Sequence, residues 1–450
     1  MGFLSNKWVL QRVLGWEDEL SSATVFVGLV TFQLTLVGVG ALAVFGKLRL
    51  PGKADLALMS VAVFATLALA EVGARMTVPG PQFFEQIIGE SSRHPARLSD
   101  ANTTRIFTIR GLYEGADQAV LRGSEHGLIE PVSEAEAEFN ILFVGGSTTE
   151  ARYVPEDDRW VALLNVPGEI ATFNAGVSGG NTADAYFNYL FLIEEQGFEF
   201  DLVILMTQVN DWSWMFALRP YGGSLRVDGY RDYLSAWYLD RRDTGFVATL
   251  RRQARLVEAA ARAAIALDQT VFSSLLSNEQ SAESQVVIAY RESRQNVLDA
   301  YEADTAPLNE CDMLRENLAD YEQITTSNLR AFNDKVKEAG AHLLVMSEAH
   351  SYGAPEGSFY EDFRVPRRCA ENLLSHEGSA AFSDKLGQSY LRAASKAGTL
   401  IYDLAGEMEP FMSGADGGRY MYDEVHYTVD GSREVARLVA PVMRQILAER

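Results

Sequence analysis

Five short apolar runs constrain this chain more than anything else in it. Ile141–Val144, Ala171–Phe173, Leu202–Met206, Leu343–Met346 and Leu400–Leu404 are continuous rather than alternating, and turn residues bound them. A strand wetted on one face alternates apolar and polar side chains, whereas a continuous run is buried on both faces. Helical sequence lies between the runs, at Asp158–Leu164, Thr182–Glu195, Tyr321–Ala339 and Asp384–Ala397, and Ser432–Arg450 reads as a closing helix. This alternation predicts a parallel sheet with helices on both sides, an α/β domain spanning residues 138–450. A mainly helical insertion at 212–318 interrupts it, with Arg- and Ala-rich sequence from Phe246 to Leu267 and aromatic residues such as Tyr221, Tyr230 and Trp237. Such an insertion leans over a site, docks a partner, or merely elaborates the surface.

Chemistry-bearing residues follow the runs. Gly145-Gly146-Ser147-Thr148 comes directly after the first, and its glycines let the backbone turn sharply. A serine that opens a helix also has its own N–H available to a developing oxyanion. Asn174-Ala175-Gly176-Val177-Ser178-Gly179-Gly180-Asn181 follows the second run, and Gly179 is the best candidate there to bring a backbone N–H to a ligand. Gln208-Val209-Asn210-Asp211 follows the third, where the Asn210 side-chain amide can donate to an oxyanion. Near the C-terminus, Asp423-Glu424-Val425-His426 offers a carboxylate that can orient the ring of a base. A hydroxyl at a strand-to-helix turn with a late Asp and His is the raw material of a hydrolytic triad. Each segment alone is an ordinary turn or cap. In a parallel sheet all strand C-termini face one edge, so the segments converge there.

In this order the segments resemble the blocks of the SGNH (GDSL-type) hydrolases. Ser147 matches the family's nucleophile, Gly179 and Asn210 its oxyanion glycine and asparagine, His426 its base and Asp423 the acid that orients it. The resemblance covers residues 138–450 outside the insertion and implies a flavodoxin-like three-layer α/β/α domain with a five-stranded parallel sheet. It implies acyl transfer by a serine esterase, with Ser147, Gly179 and Asn210 forming the oxyanion hole and no metal or organic cofactor. Two positions depart from the family pattern. Gly146 stands where the family usually has Asp, and Gln208, which replaces a glycine, puts a bulky amide near the pocket.

The N-terminal residues have a different character. Leu20 to Gly46 contains no charged residue, and at about 1.5 Å per residue such a helix crosses a hydrocarbon core of about 30 Å. A second apolar run, Leu56–Ala70, continues through Glu71 to Arg75 and spans if Glu71 lies close to an interface. The expected order is therefore an interfacial amphipathic segment at 1–19, transmembrane helices at 20–46 and 55–75, a link at 47–54 and a connector at 76–137. Residues Phe3 to Trp16 equally suit a short helix packed on protein. Lys47, Arg49 and Lys53 in the link place it in the cytoplasm, which puts the large C-terminal domain on the extracytoplasmic side, periplasmic or at the cell surface. In an oxidising compartment Cys311 and Cys369 can pair, and their surroundings show no metal-ligand spacing.

A formal net charge of -22 excludes nucleic acid as the main partner, because a phosphate backbone would be repelled. The partners expected are the lipid bilayer, an acyl ester on a carbohydrate, and another membrane protein reached through the spans or the insertion. Trp160 reads as core rather than as a platform for substrate. Three functions remain open at this point: a membrane-anchored esterase, a glycan O-acyltransferase on the same fold, and a non-catalytic subunit of a membrane complex.

Overall fold

The computed structural model of the chain describes residues 94–132, 137–218, 312–353 and 372–449, with short pieces at 226–227, 286–291 and 368–369 and a few single positions excepted. Both expected spans and the interfacial segment lie outside the described residues, as do Cys311 and most of the insertion. No helix among the described residues is long and apolar enough to cross a membrane.

A hairpin comes first, β1 (Thr104–Thr108) antiparallel to β2 (Gln118–Arg122). Five parallel strands then form the central sheet: β3 (Phe139–Gly145), β4 (Ile170–Gly176), β5 (Leu202–Met206), β6 (His342–Met346) and β9 (Leu400–Tyr402). A two-residue pair, β7 (Arg368–Cys369) and β8 (Asn372–Leu373), stands apart from it. The sheet order is β4-β3-β5-β6-β9. The chain steps from β3 to β4 on one side and then crosses to β5 on the other, which makes a topological switch point between β3 and β5, the place where open α/β sheets carry their crevice.

The continuous apolar runs fill both faces. Leu142, Val144, Phe173, Val203, Leu205 and Val345 pack against α3 (Thr182–Leu190), α4 (Gln208–Leu218), α5 (Asp312–Glu338) and α6 (His376–Lys396). Ile141, Phe143, Ile204, Met206 and Met346 face α2 (Trp160–Leu163), α7 (Leu404–Met412) and α8 (Val429–Ala448). The described part of the connector is built into the same body. Leu98 and Leu128 join the first of these layers, and Ile129 N–H donates to the Asn174 carbonyl at 2.8 Å.

Two elements differ from the sequence reading. The α5 helix begins at Asp312 rather than Tyr321, and Leu318, which the sequence reading left in the insertion, packs against the core. The run expected as a strand to Leu404 ends at Tyr402. Asp403 caps α7 by accepting from the Gly406 N–H at 3.1 Å, and this short helix starts despite Pro410 within it.

Trp160 is fully buried, edge-on to Phe143 at 5.2 Å between ring centroids, and its Nε1 donates to the Thr148 carbonyl at 3.0 Å. Core packing and the turn that carries Ser147 therefore share one side chain. Trp160→Ala should destabilise the fold by about 3–5 kcal/mol, read as a lowered urea midpoint. An unchanged midpoint would mean that the indole does not occupy the core.

Candidate active site

The register of the sheet sets the height of the site. Gly145 at the end of β3 lies opposite Gly176 of β4 and Met206 of β5, so the segments after all three strands start level. Ser147 opens a four-residue helix, α1 (Ser147–Glu150), whose preceding residue Gly146 has extended backbone. The turn is closed by Thr149 and Glu150 N–H groups donating to the Gly146 carbonyl at 3.1 and 3.0 Å.

His426 reaches this turn from the other end of the chain, its Nε2 standing 2.7 Å from Ser147 Oγ. The Nδ1 lies 2.6 Å from Asp423 Oδ2. A carboxylate can only accept, so Nδ1 carries the proton and Nε2 faces the serine hydroxyl with a lone pair. Asp423 is held locally as well: its Oδ1 accepts from the backbone N–H groups of Val425 and His426 at 2.9 and 2.8 Å. The turn is fixed at its base, where Tyr422 N–H donates to the His426 carbonyl at 3.1 Å and Thr428 caps α8. Tyr422 lies parallel to the His426 ring at 5.6 Å, and Tyr113 from the residues between β1 and β2 lies on Tyr422 at 5.8 Å.

Burial by itself would push the His426 pKa down. The Asp423 charge and hydrogen bond, aided by the charges of Glu424 and Glu348, outweigh it, and the pKa stands above the ordinary 6.5. The sign for stability follows. A histidine whose folded pKa is raised contributes stability that is fully present below about pH 6.5 and is lost as pH rises through the folded value.

Gly179 and Asn210 occupy the turns after β4 and β5. Gly179 has φ of +72°, in the left-handed region where glycine is unstrained, and no described group accepts from its N–H. Asn210 donates one Nδ2 proton to the Gly180 carbonyl at 2.9 Å. A Cβ on Gly146 would collide with that same Nδ2, so the glycine is the space into which the amide packs. The structure thus brings Ser147, Asp423 and His426 into one relay and sets Gly146 against Asn210.

No protein-family model matches the chain, and no curated protein sequence does. Solved structures do. One is LAE5, an α/β hydrolase enzyme from the metagenome of Lake Arreo, Spain, with 13% identity, a TM-score of 0.33, and coverage of 68% of this chain and 95% of that one. Another is Axe2, an acetylxylan esterase from Geobacillus stearothermophilus, with 14% identity, a TM-score of 0.32, and coverage of 70% and 96%. Similarity at this level carries no argument about the chemistry of this chain, which rests on its own residues.

The Gln208 side chain, expected near the pocket, is turned towards the segment after β6. It is buried; its Oε1 accepts from the Glu348 N–H at 3.1 Å, and its amide lies beside Gly387. Glu348, which sequence reasoning missed, is buried two residues beyond β6. One of its oxygens accepts from Thr148 Oγ1 at 2.8 Å and the other from the Val209 N–H at 2.7 Å, so it ties the neighbour of Ser147 to the neighbour of Asn210. Its place just past a strand end was the available signal. Asp211 is structural: it accepts from Thr182 N–H and Oγ1 at 2.7 and 2.6 Å. Burial pushes its pKa up to about 7 against those hydrogen bonds. His350, the other histidine after a strand, pairs with Asp384 at 3.0 Å.

Asp423→Asn removes the charge that holds the His426 pKa up. The imidazole, followed by NMR through a pH titration, should titrate at lower pH than in the wild type. A titration at the wild-type pH or above would show that the carboxylate is not the cause.

Proposed function

We propose that this chain is a serine ester hydrolase of the SGNH type, membrane-anchored through its N-terminal part, with the α/β domain on the extracytoplasmic side. The observation that carries the reading is the relay from Asp423 Oδ2 through His426 to Ser147 Oγ, with contacts of 2.6 and 2.7 Å. Anchoring and sidedness are supported by the charge-free stretch Leu20–Gly46 and the basic link that follows it. An acylated carbohydrate is the substrate class to assay first.

In the reaction Ser147 Oγ attacks the acyl carbonyl carbon while its proton passes to His426 Nε2. Asp423 stabilises the imidazolium and keeps the ring in place. The carbonyl oxygen becomes an oxyanion, which receives the N–H groups of Ser147 and Gly179 and the second Nδ2 proton of Asn210. When the intermediate collapses, the bond to the alcohol oxygen breaks and His426 returns the proton to it. Water then attacks the acyl-enzyme, giving its proton to His426, and Ser147 leaves with that proton as the carboxylic acid is released.

A fluorophosphonate should label Ser147 in the wild type and label neither Ser147→Ala nor His426→Ala. Both variants should also lose hydrolysis of a short nitrophenyl ester; wild-type turnover in Ser147→Ala would falsify the proposal. Gly146→Asp, which recreates the family's usual sequence, should lower kcat by about 10²-fold, because it displaces the Asn210 amide. A gain in kcat in that variant would remove Asn210 from the assigned role.

A further inference from the structure

The loop after β4 is held in an uncommon way. Three consecutive carbonyls, those of Ser178, Gly179 and Gly180, each accept from a side chain, one brought by the connector and two by α4. Arg97 Nη2 donates to Ser178 at 2.6 Å, Trp214 Nε1 to Gly179 at 2.7 Å, and Asn210 Nδ2 to Gly180 at 2.9 Å. The Gly180 N–H closes the turn on the Val177 carbonyl at 2.7 Å, with Gly179 at the position where a type II turn needs positive φ.

The Ser178 carbonyl and the Gly179 N–H are two ends of one peptide unit. A trans amide is planar and points them in opposite directions, so whatever fixes the carbonyl also aims the N–H. A guanidinium does more than fix it. Its bond to the carbonyl is charge-assisted and draws electron density along the amide, which strengthens the N–H as a donor. Arg97 is itself held firmly. Its backbone exchanges two hydrogen bonds with the Asn188 side chain, at 2.6 and 2.7 Å, and its Nη1 pairs with the buried Asp184 at 3.3 Å. The guanidinium stands 3.7 Å from where a Cβ on Gly179 would lie.

We infer that Arg97 is a positioning residue that orients and polarises the Ser178–Gly179 peptide, the backbone donor of the oxyanion hole. This rests on the esterase reading above. It also gives the connector a part in the chemistry, because Arg97 belongs to the stretch leading from the expected spans to the α/β domain, and a domain starting at 138 would lack it.

The test uses the full chain with a nitrophenyl acetate assay and three readouts. Arg97→Ala should lower kcat by about 10- to 100-fold, somewhat less than loss of a donor outright, with KM changed less than about twofold. Arg97→Lys keeps the charge but not the planar fork and should fall between that variant and the wild type. Added guanidinium ion at millimolar concentration should restore part of the kcat of Arg97→Ala, which a merely structural role would not allow. An unchanged kcat in a variant with the wild-type thermal midpoint, or a loss confined to KM, overturns the inference. If Arg97→Ala does not fold, Arg97→Lys decides on the same split between kcat and KM. Failure of the esterase reading looks different: the wild type itself would not react with a fluorophosphonate, and the inference would fall with it.

Discussion

The lateral register of three strands is the constraint on which the rest depends. Gly145 stands level with Gly176 and Met206, and a slip of one residue in either pairing would raise or lower one turn by about 3.3 Å and turn its side chains over. Hydrogen bonds of 2.7 and 2.9 Å between the turns leave no room for such a slip. Burial on both faces enforces the register, since a shifted strand would exchange Leu142 and Val144 for Ile141 and Phe143 against differently shaped helix layers. The apolar core thus sets the accuracy with which polar groups meet at its edge.

Those polar groups are largely acidic. Glu150, Asp184, Asp211, Glu348 and Asp423 are all buried along this edge. A buried carboxylate is costly unless donors surround it, and each of these is supplied. Glu150 accepts from Ser178 and Arg152, Asp184 from Asn181 and Arg97, Asp211 from Thr182 and Thr207. Glu348 and Asp423 take backbone N–H groups. The collection has two electrical effects. It repels further ionisation, which contributes to lifting Asp211 towards neutral pH, and it favours the protonated form of His426. The imidazole therefore stays protonated to a higher pH than a free one.

What the sequence revealed follows from this division. Ser147, Asp423 and His426 were legible only as a group: each segment alone is an ordinary turn, and it is the serine after a buried run together with the late Asp and His that suggests the contacts seen between them. Asn210 was legible because it follows a buried run at the same relative height. The sheet was legible because each run is continuous. Arg97 was not, since a lone arginine in a polar stretch reads the same whether it faces water or the Ser178 carbonyl. Glu348 and the Tyr422 ring were hidden for the same reason, as their partners are supplied by tertiary contacts with Thr148, Val209 and Tyr113. Gln208 was misread because its position relative to the strand end was known, but not the direction of its side chain. That direction goes with the Glu348 N–H, from which its Oε1 accepts, and with Gly387, where a Cβ would come within 3.4 Å of the amide.

Gly146 and Gln208, where the chain departs from the pattern it resembles, are each matched by a neighbouring group. At Gly146 the missing side chain is replaced in space by the Asn210 amide, so one residue supplies both the packing that a larger residue 146 would give and a donor. Gln208 replaces a glycine with an amide that binds the segment after β6, and through Glu348 that segment binds both Thr148 and Val209. The network therefore runs from the Ser147 turn to the Asn210 turn without passing through the sheet. Such a bridge lets small residues at this edge keep their positions while the surrounding chain supplies the rigidity. On the other flank Tyr422 lies parallel to the His426 ring and is itself backed by Tyr113, with Tyr153 and Tyr290 edge-on to it. Residues as distant in sequence as 113 and 290 therefore bear on the placement of the ring that meets Asp423.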